Sequence, residues 1–379
     1  MQKPEKKEER LNYYEMLSQE MKATLEKLRY TEPTPIQNKT LGPILDNRDI
    51  LGIAQTGTGK TAAFAVPVIE KIFTGNLKTQ ALVLCPTREL ALQTAEVFKK
   101  LSGGQKVRTV SVYGGQQSVI QIKALRAGAQ IVVGTPGRVK DLISKNVLKL
   151  KNVRTVVLDE ADEMLDFGFL PDIKGILANV TGSHQTLLFS ATMNRGVSEI
   201  AKQFQSEPVR IEIGQRSEPT ETIKQSYMTT GERQKPGAVQ NLIRQDSPRL
   251  ALVFCNTKRR VENLKKVLGE QGMRVSCLHG DMSQNERDRI MDTFRKGKST
   301  VLVATDVAAR GIDVNDIDLV INYDVPDKMD YYVHRIGRTG RAGKLGRACT
   351  LVSPQDWGKI ADIEKRYRIK IAKETASYC

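Results

Sequence analysis

The chain has 379 residues, 40% hydrophobic and 27% charged, enough to bury two cores and too apolar for a disordered polymer. Lys and Arg number 59 against 43 Asp and Glu, a net charge of +16 that points to a polyanionic partner, nucleic acid first and an anionic membrane second. No apolar run approaches the ~20 residues of a membrane span and no apolar segment follows the basic start, so a soluble, non-secreted protein is expected.

Residues 1–10 are a charge run and read as a solvated tail. Residues 15–28 read as an amphipathic helix, with Met16, Leu17, Met21, Leu25 and Leu28 near helical spacing. Tail and helix together make residues 1–30 a preface to a first domain expected over 31–207. Early in that domain the apolar run Asp49-Ile-Leu-Gly-Ile53 leads into Ala54-Gln-Thr-Gly-Thr-Gly-Lys-Thr61 and then into a helical stretch. Strand, Gly-rich loop and helix in that order form a phosphate cradle, whose backbone N–H groups and helix N-terminus face phosphate oxygens. Ala54, Gln55, Thr56, Gly57, Thr58 and Gly59 would line it, Lys60 would neutralise the β and γ phosphates, and the Thr61 hydroxyl would reach Mg²⁺. Further on, Val156-Val-Leu-Asp159-Glu160 ends an apolar strand on two carboxylates. Open α/β sheets carry their ligand groups at that end. Asp159 is the expected metal carboxylate, acting partly through water, and Glu160 the base for an attacking water.

The chain then repeats itself. Ala81-Leu-Val-Leu-Cys-Pro-Thr-Arg88 is answered by Ala251-Leu-Val-Phe-Cys-Asn-Thr-Lys258, and Ile131-Val-Val-Gly-Thr135 by Val301-Leu-Val-Ala-Thr305. Val107–Gly114 corresponds to Met273–Gly280, and Thr155–Asp159 to Asp318–Asn322. Short β-branched runs alternating with helical segments predict an α/β fold of two tandem domains, each a mostly parallel sheet with helices on both faces. Polar residues around Glu212–Glu221 place a linker at 208–222, leaving 223–379 for the second domain. The cysteines number five and show no CxxC spacing, which argues against zinc and disulfides and fits a reducing cytoplasm.

Taken together, these motifs resemble the DEAD-box RNA helicases of helicase superfamily 2. The resemblance runs through Pro33-Thr-Pro-Ile-Gln37, Ala54–Thr61, Pro86-Thr-Arg-Glu-Leu-Ala91, Thr135-Pro-Gly-Arg138, Asp159-Glu-Ala-Asp162 and Ser190-Ala-Thr192. It continues through Val253-Phe-Cys-Asn-Thr257, Ala304-Thr-Asp-Val-Ala-Ala-Arg-Gly-Ile-Asp313 and His334-Arg-Ile-Gly-Arg-Thr-Gly-Arg341, in family order. It implies two RecA-like domains that bind ATP and RNA in the cleft between them. Gln37 would read adenine, with Tyr13 or Tyr14 as the stacking aromatic, and Asp313 would contact the ribose. Arg338 and Arg341 would reach the γ-phosphate from the second domain, and His334 would meet the end of the Asp159 strand. Ser190 and Thr192 would couple the nucleotide state to RNA. Pro86, Thr87, Arg88, Gly115, Thr135, Gly137 and Arg138 would form one RNA surface; Thr257, Gly280, Gln284, Arg287 and Thr305 would form the other. RNA-dependent ATP hydrolysis with local unwinding is the expected activity, and an ATP-gated RNA clamp is the alternative that shares these motifs. The expected partner is RNA held without sequence preference, in ribosomal or messenger RNA–protein complexes, by a cytoplasmic monomer.

Overall fold

The computed structural model describes residues 13–55, 57–103, 105–115, 117–213, 222–309, 317–340 and 345–374, with nothing to add on the side chains of Gln284 and Asp330. The tail at 1–10 and the centre of the expected linker lie outside them. Two compact units result, Met1–Gly214 and Gln215–Cys379.

In the first unit the strands are β1 (Ile50–Ala54), β2 (Ala81–Leu84), β3 (Thr109–Val112), β4 (Ile131–Gly134), β5 (Thr155–Leu158), β6 (Gln185–Ser190) and β7 (Val209–Ile213). They form one parallel sheet in the order β3-β4-β2-β5-β6-β1-β7. The second unit contains β8 (Ile223–Thr229), β9 (Ala251–Phe254), β10 (Val275–Leu278), β11 (Val301–Ala304), β12 (Leu319–Asn322), β13 (Gly346–Val352) and β14 (Ala372–Glu374). Their order, β10-β11-β9-β12-β13-β8-β14, is the first sheet's order with each strand replaced by its counterpart, again all parallel. The repeated runs of the sequence fall on matching strands: β2 with β9, β4 with β11, β3 with β10, and β5 with β12.

Helices cover both faces, which is why the strands read as continuous apolar runs. Val83, Val133, Val157 and Leu187 turn to one side, against the helices Gln19–Lys27, Pro35–Leu45, Lys60–Glu70 and Arg88–Ser102. Their neighbours Leu84, Val132, Val156 and Leu188 turn to the other, against Pro136–Ser144, Ala161–Asp166, Leu170–Leu177 and Arg195–Phe204. The second unit repeats this, with Val253 and Ile321 on one face and Leu252 and Val320 on the other. Each such buried side chain contributes about 1.5–3 kcal/mol of transfer free energy, opposed by chain entropy.

Two expectations are corrected. The helix expected over 15–28 spans Gln19–Lys27, because Ser18 adopts an extended backbone, accepts a hydrogen bond from the Met21 N–H and caps the start. Glu70 holds Ser18 there through its N–H (3.0 Å) and hydroxyl (2.8 Å), and Met16 is left exposed. The expected linker starts too early: residues Val209–Ile213 form β7, paired along its whole length to β1. Their charged residues Arg210 and Glu212 face out and pair with each other, which is why the segment reads as polar.

Candidate active site

Strand ends align across the first sheet: Val112 lies beside Gly134, Gly134 beside Leu84, and Leu84 beside Leu158. The loops leaving these strands therefore emerge in a row, with β6 and β1 completing it through the pair Ser190 and Ile53. The phosphate loop leaves β1, the carboxylates leave β5, and the candidate RNA loops leave β2, β3 and β4.

Around the phosphate loop the chain folds tightly. Gly59, at φ 89°, caps the helix Lys60–Glu70, and a Cβ there would lie 2.6 Å from the Gln37 amide nitrogen. Only glycine satisfies both conditions. Gln37 itself is buried and engaged at both ends, accepting from the Thr34 N–H (2.9 Å) and donating to the Gly59 carbonyl (3.2 Å). A primary amide has four hydrogen-bonding positions, so one donor and one acceptor position remain for a ligand. Lys60 is buried and donates to the Ala54 carbonyl at 2.7 Å; the Thr58 hydroxyl donates to the Gln55 carbonyl at 2.8 Å. Thr61 is half-buried in the first turn of the helix, and Thr56 lies outside the described residues.

Asp159 follows β5 and is 2% exposed, with one carboxylate oxygen that has no hydrogen-bond partner among the described residues. Burial, reinforced by the neighbouring Glu160, pushes its carboxyl up to about 7, while Lys60 pulls the other way. A buried carboxylate with an unpartnered oxygen is what a divalent cation satisfies, so the residues fit Mg²⁺. Glu160 sits at φ 52° and ψ 53° ahead of the helix Ala161–Asp166, a left-handed conformation that costs on the order of 1–3 kcal/mol in a residue with a side chain. Strain of this kind concentrates where a side chain must point in one direction. Asp162, the second residue of that helix, accepts from both the Thr192 N–H (2.9 Å) and the Thr192 hydroxyl (2.8 Å), and Ser190 donates to the Thr192 carbonyl at 2.7 Å. The Ser-Ala-Thr turn and the acidic tetrapeptide are thereby one bonded piece; Asp162 is the member that sequence reasoning left without a role.

On the candidate RNA face, Thr87 caps the helix Arg88–Ser102 by accepting from the Leu90 N–H, and the Arg88 guanidinium lies 4.7 Å from the centre of the Tyr113 ring. Gly115 has φ 77°. A Cβ on Gly137 would meet nothing within 4 Å, leaving that backbone open to a close approach. Thr135 precedes the helix Pro136–Ser144, and Arg138 donates to the Gln121 side chain at 2.9 Å.

Arg335 is the surprise of the second unit. Although it stands in a basic run, Arg335 is 1% exposed. Its guanidinium makes two bonds to Asp306 (both 2.6 Å), one to the Asp324 carbonyl (2.6 Å) and one to Asn256 (2.8 Å), and lies 5.2 Å from the Phe254 ring centre. His334 and Arg338 line the same small cleft, with Asp306 and Tyr331. The helix Met329–Ile336 stops at Gly337, so Arg338 leaves from the following turn; Arg341 lies outside the described residues, as does Asp313. Thr257 caps its helix as Thr87 does, through the Arg260 N–H, and Arg287 donates to the Ala308 carbonyl at 3.3 Å. Thr305 opens the short helix Asp306–Ala309, and Gly280 lies two residues beyond the end of β10.

The second unit also shows what became of the phosphate cradle. At the end of β8, the counterpart of β1, Lys235 opens a helix as Lys60 does. Its ammonium meets Glu232 at 2.6 Å and Asp324 at 3.6 Å, and Arg260 pairs with the same two carboxylates at 2.5 and 2.7 Å.

A phosphate loop, an acidic strand end and a second sheet of identical order define a two-unit nucleoside triphosphatase of the helicase type. Residues 34–200 match the DEAD/DEAH box helicase family, and residues 234–343 match the helicase conserved C-terminal domain. The DEAD-box ATP-dependent RNA helicase CshA of Geobacillus kaustophilus is 45% identical over 357 residues, which span 94% of this chain and 76% of the relative. Its namesake in Bacillus subtilis is 44% identical over 355 residues, 94% of this chain and 72% of that one. Among solved structures, S. cerevisiae Dbp5 bound to RNA and ADP BeF3 superposes with a TM-score of 0.87 at 32% identity, covering 96% of both chains. Mss116p bound to ssRNA and AMP-PNP gives 0.86 at 31%, covering 97% of this chain and 78% of that one. The chain belongs to the DEAD-box family of ATP-dependent RNA helicases.

Proposed function

We propose that the chain binds RNA by its backbone and separates short duplexes or remodels RNA–protein complexes, each cycle coupled to hydrolysis of one ATP. The observation that carries this is a buried Lys60, at the start of its helix and bonded to the Ala54 carbonyl, together with a buried Asp159, one oxygen of which has no partner among the described residues. Lys60 takes up the β and γ phosphates in exchange for the Ala54 carbonyl, and the spare donor and acceptor of Gln37 match the adenine edge. Thr61 and Asp159 would hold Mg²⁺, which supplies charge neutralisation at the phosphates. Glu160 takes the proton of the attacking water. Tyr13 is packed in the core, which leaves Tyr14 to stack on adenine.

Arg338 and Arg341 would complete the site when the units close over nucleotide and RNA, Asp313 would meet the ribose, and His334 the acidic tetrapeptide. Support for this comes from unit 2, which pairs its own cradle lysine internally and so has no free charge for a nucleotide of its own at that place. Thr87, Arg88, Gly115, Thr135, Gly137 and Arg138, with Thr257, Gly280, Gln284, Arg287 and Thr305, would contact phosphates and sugars, giving binding without sequence preference. Four buried free cysteines support a reducing cytoplasm, and no helix among the described residues is long and apolar enough to cross a membrane. The protein works as a monomer.

The test is strand displacement on a short RNA duplex with ATP, run beside phosphate release. RNA-stimulated hydrolysis with strand separation supports the reading. Long-lived ATP-dependent RNA retention without separation would replace it with the clamp, and absence of RNA stimulation would end both.

A further inference from the structure

The helix Ser118–Arg126 packs on the core through the half-buried Ile122 and Leu125, yet its most buried side chain is polar. Its buried residue is the polar Gln121, 3% exposed, while Val119 and Ile120 stand 70% and 59% exposed. A buried amide costs free energy unless its bonds are made, and Gln121 makes them to the neighbouring loops. Its carbonyl oxygen accepts from the Arg138 guanidinium at 2.9 Å and from the Tyr113 N–H at 3.4 Å, and its amide nitrogen donates to the Tyr113 carbonyl at 3.1 Å. Tyr113, buried in turn, holds its ring under Arg88 at 4.7 Å.

These bonds join three loops that leave three different strands. Arg88 opens the helix that follows β2, Tyr113 begins the Gly114-Gly115 turn after β3, and Arg138 lies in the first turn of the helix that follows β4. The last bonds between these strands run from the Cys85 N–H to the Gly134 carbonyl and from the Thr135 N–H to the Val112 carbonyl, ahead of Arg88, Tyr113 and Arg138, so the sheet by itself does not fix how these three stand to one another. Tyr113 and Gln121 do.

We propose that Gln121 and Tyr113 are positioning residues that set the three RNA-contact loops of the first unit in one geometry before RNA arrives. This rests on the reading of those loops as the RNA face. Neither residue needs to touch RNA. Loops held in the bound arrangement give up less freedom on binding, and that difference appears as affinity.

The experiment measures binding of a short oligouridine RNA in the presence of AMP-PNP, across a salt series. Gln121→Met keeps the volume and removes the bonds; it should weaken RNA binding about tenfold, and flatten the slope of log affinity against log salt by about 0.7 for each phosphate no longer neutralised. ATP affinity and RNA-free turnover should stay unchanged, since Gln121 lies outside the phosphate site. Gln121→Glu keeps the acceptor for Arg138 and should recover part of the affinity. Should Gln121→Met fail to fold, Tyr113→Leu removes the ring beneath Arg88 while keeping the backbone bonds, and is expected to weaken RNA binding in the same way. Arg138→Ala separates positioning from direct recognition. Weaker binding in Arg138→Ala with no change in Gln121→Met or Tyr113→Leu overturns the positioning role and leaves the RNA face standing. Unchanged binding in all three removes the RNA face, and the proposal with it.

Discussion

At the ends of β1 and β8 the same fold carries the same lysine and puts it to opposite uses. Lys60 and Lys235 each open a helix after the corresponding strand, both buried. Among the described residues Lys60 holds only a backbone carbonyl and one Asp159 oxygen has no partner, which leaves both groups to the phosphate and metal of the proposed site. Lys235 is matched by Glu232 and Asp324, which Arg260 also grips, so its charge is spent inside the unit. A ligand site is a place where the fold withholds partners. Duplicating the sheet duplicated the position, and the carboxylate of Glu232, three residues ahead of the lysine, is what closes it.

Lys60→Ala bears hardest on the comparison, since it removes the lysine charge that the first cradle offers. RNA-stimulated phosphate release should fall by more than about a hundredfold. Its unfolding transition should stay near that of the unmutated chain, because Lys60 donates to a backbone carbonyl and not to a carboxylate. Near-normal turnover would mean that the two cradles are not distinguished by their lysines.

Glu160→Gln should also cost about 10²–10⁴ in turnover, while AMP-PNP and RNA still bind together. Loss of binding in place of turnover would reassign Glu160 from base to scaffold.

Lys235→Met turns the comparison round. Urea unfolding followed by circular dichroism should show a loss of about 2 kcal/mol, less than the ~3–5 for a fully buried pair because Glu232 is 38% exposed and Arg260 remains. ATP affinity should not change. A drop in ATP affinity with unchanged stability would make Lys235 a ligand residue after all.

The smallest effect is one of pH, and its sign differs between the units. Asp159 titrates near 7 in the fold against 3.8 unfolded, so the native state keeps its proton longer and the first unit loses stability as pH rises from about 4 to about 7. Burial works to raise the Glu232 carboxyl too, but its bonds to Lys235 and Arg260 prevail and hold it below 4.5. Its contribution is complete above that value and is lost as pH falls further. Hydrogen exchange in EDTA should therefore show amides of β5 and β6 better protected at pH 5 than at pH 7.5, with no such gain in β8 and β12. Equal slopes in the two units would break the contrast.

Much of this was legible in the sequence because the signals are local. Strands buried on both faces appear as short apolar runs, so the repeat and the parallel sheets could be read directly. A phosphate loop is a contiguous string whose glycines and lysine keep fixed spacing, and Asp159 and Glu160 end a strand visibly. The errors were also local. Ser18 caps a helix that hydrophobic spacing alone extends too far, and the charged outward face of β7 hides a strand whose backbone is paired.

Which charges are partnered was decided only by the tertiary structure. Arg335 stands in a basic run that reads the same at each arginine, yet the fold locks it to Asp306, Asn256 and the Asp324 carbonyl. The Arg335 and Asn256 that bond are 79 residues apart. Likewise Gln121 is a plain polar residue on a helix until the fold brings Arg138 and Tyr113 to it. A strand's hydrophobicity and a loop's phosphate-binding backbone are properties of consecutive residues and so are written in the sequence; a side chain's satisfaction depends on groups that only folding brings within about 3 Å.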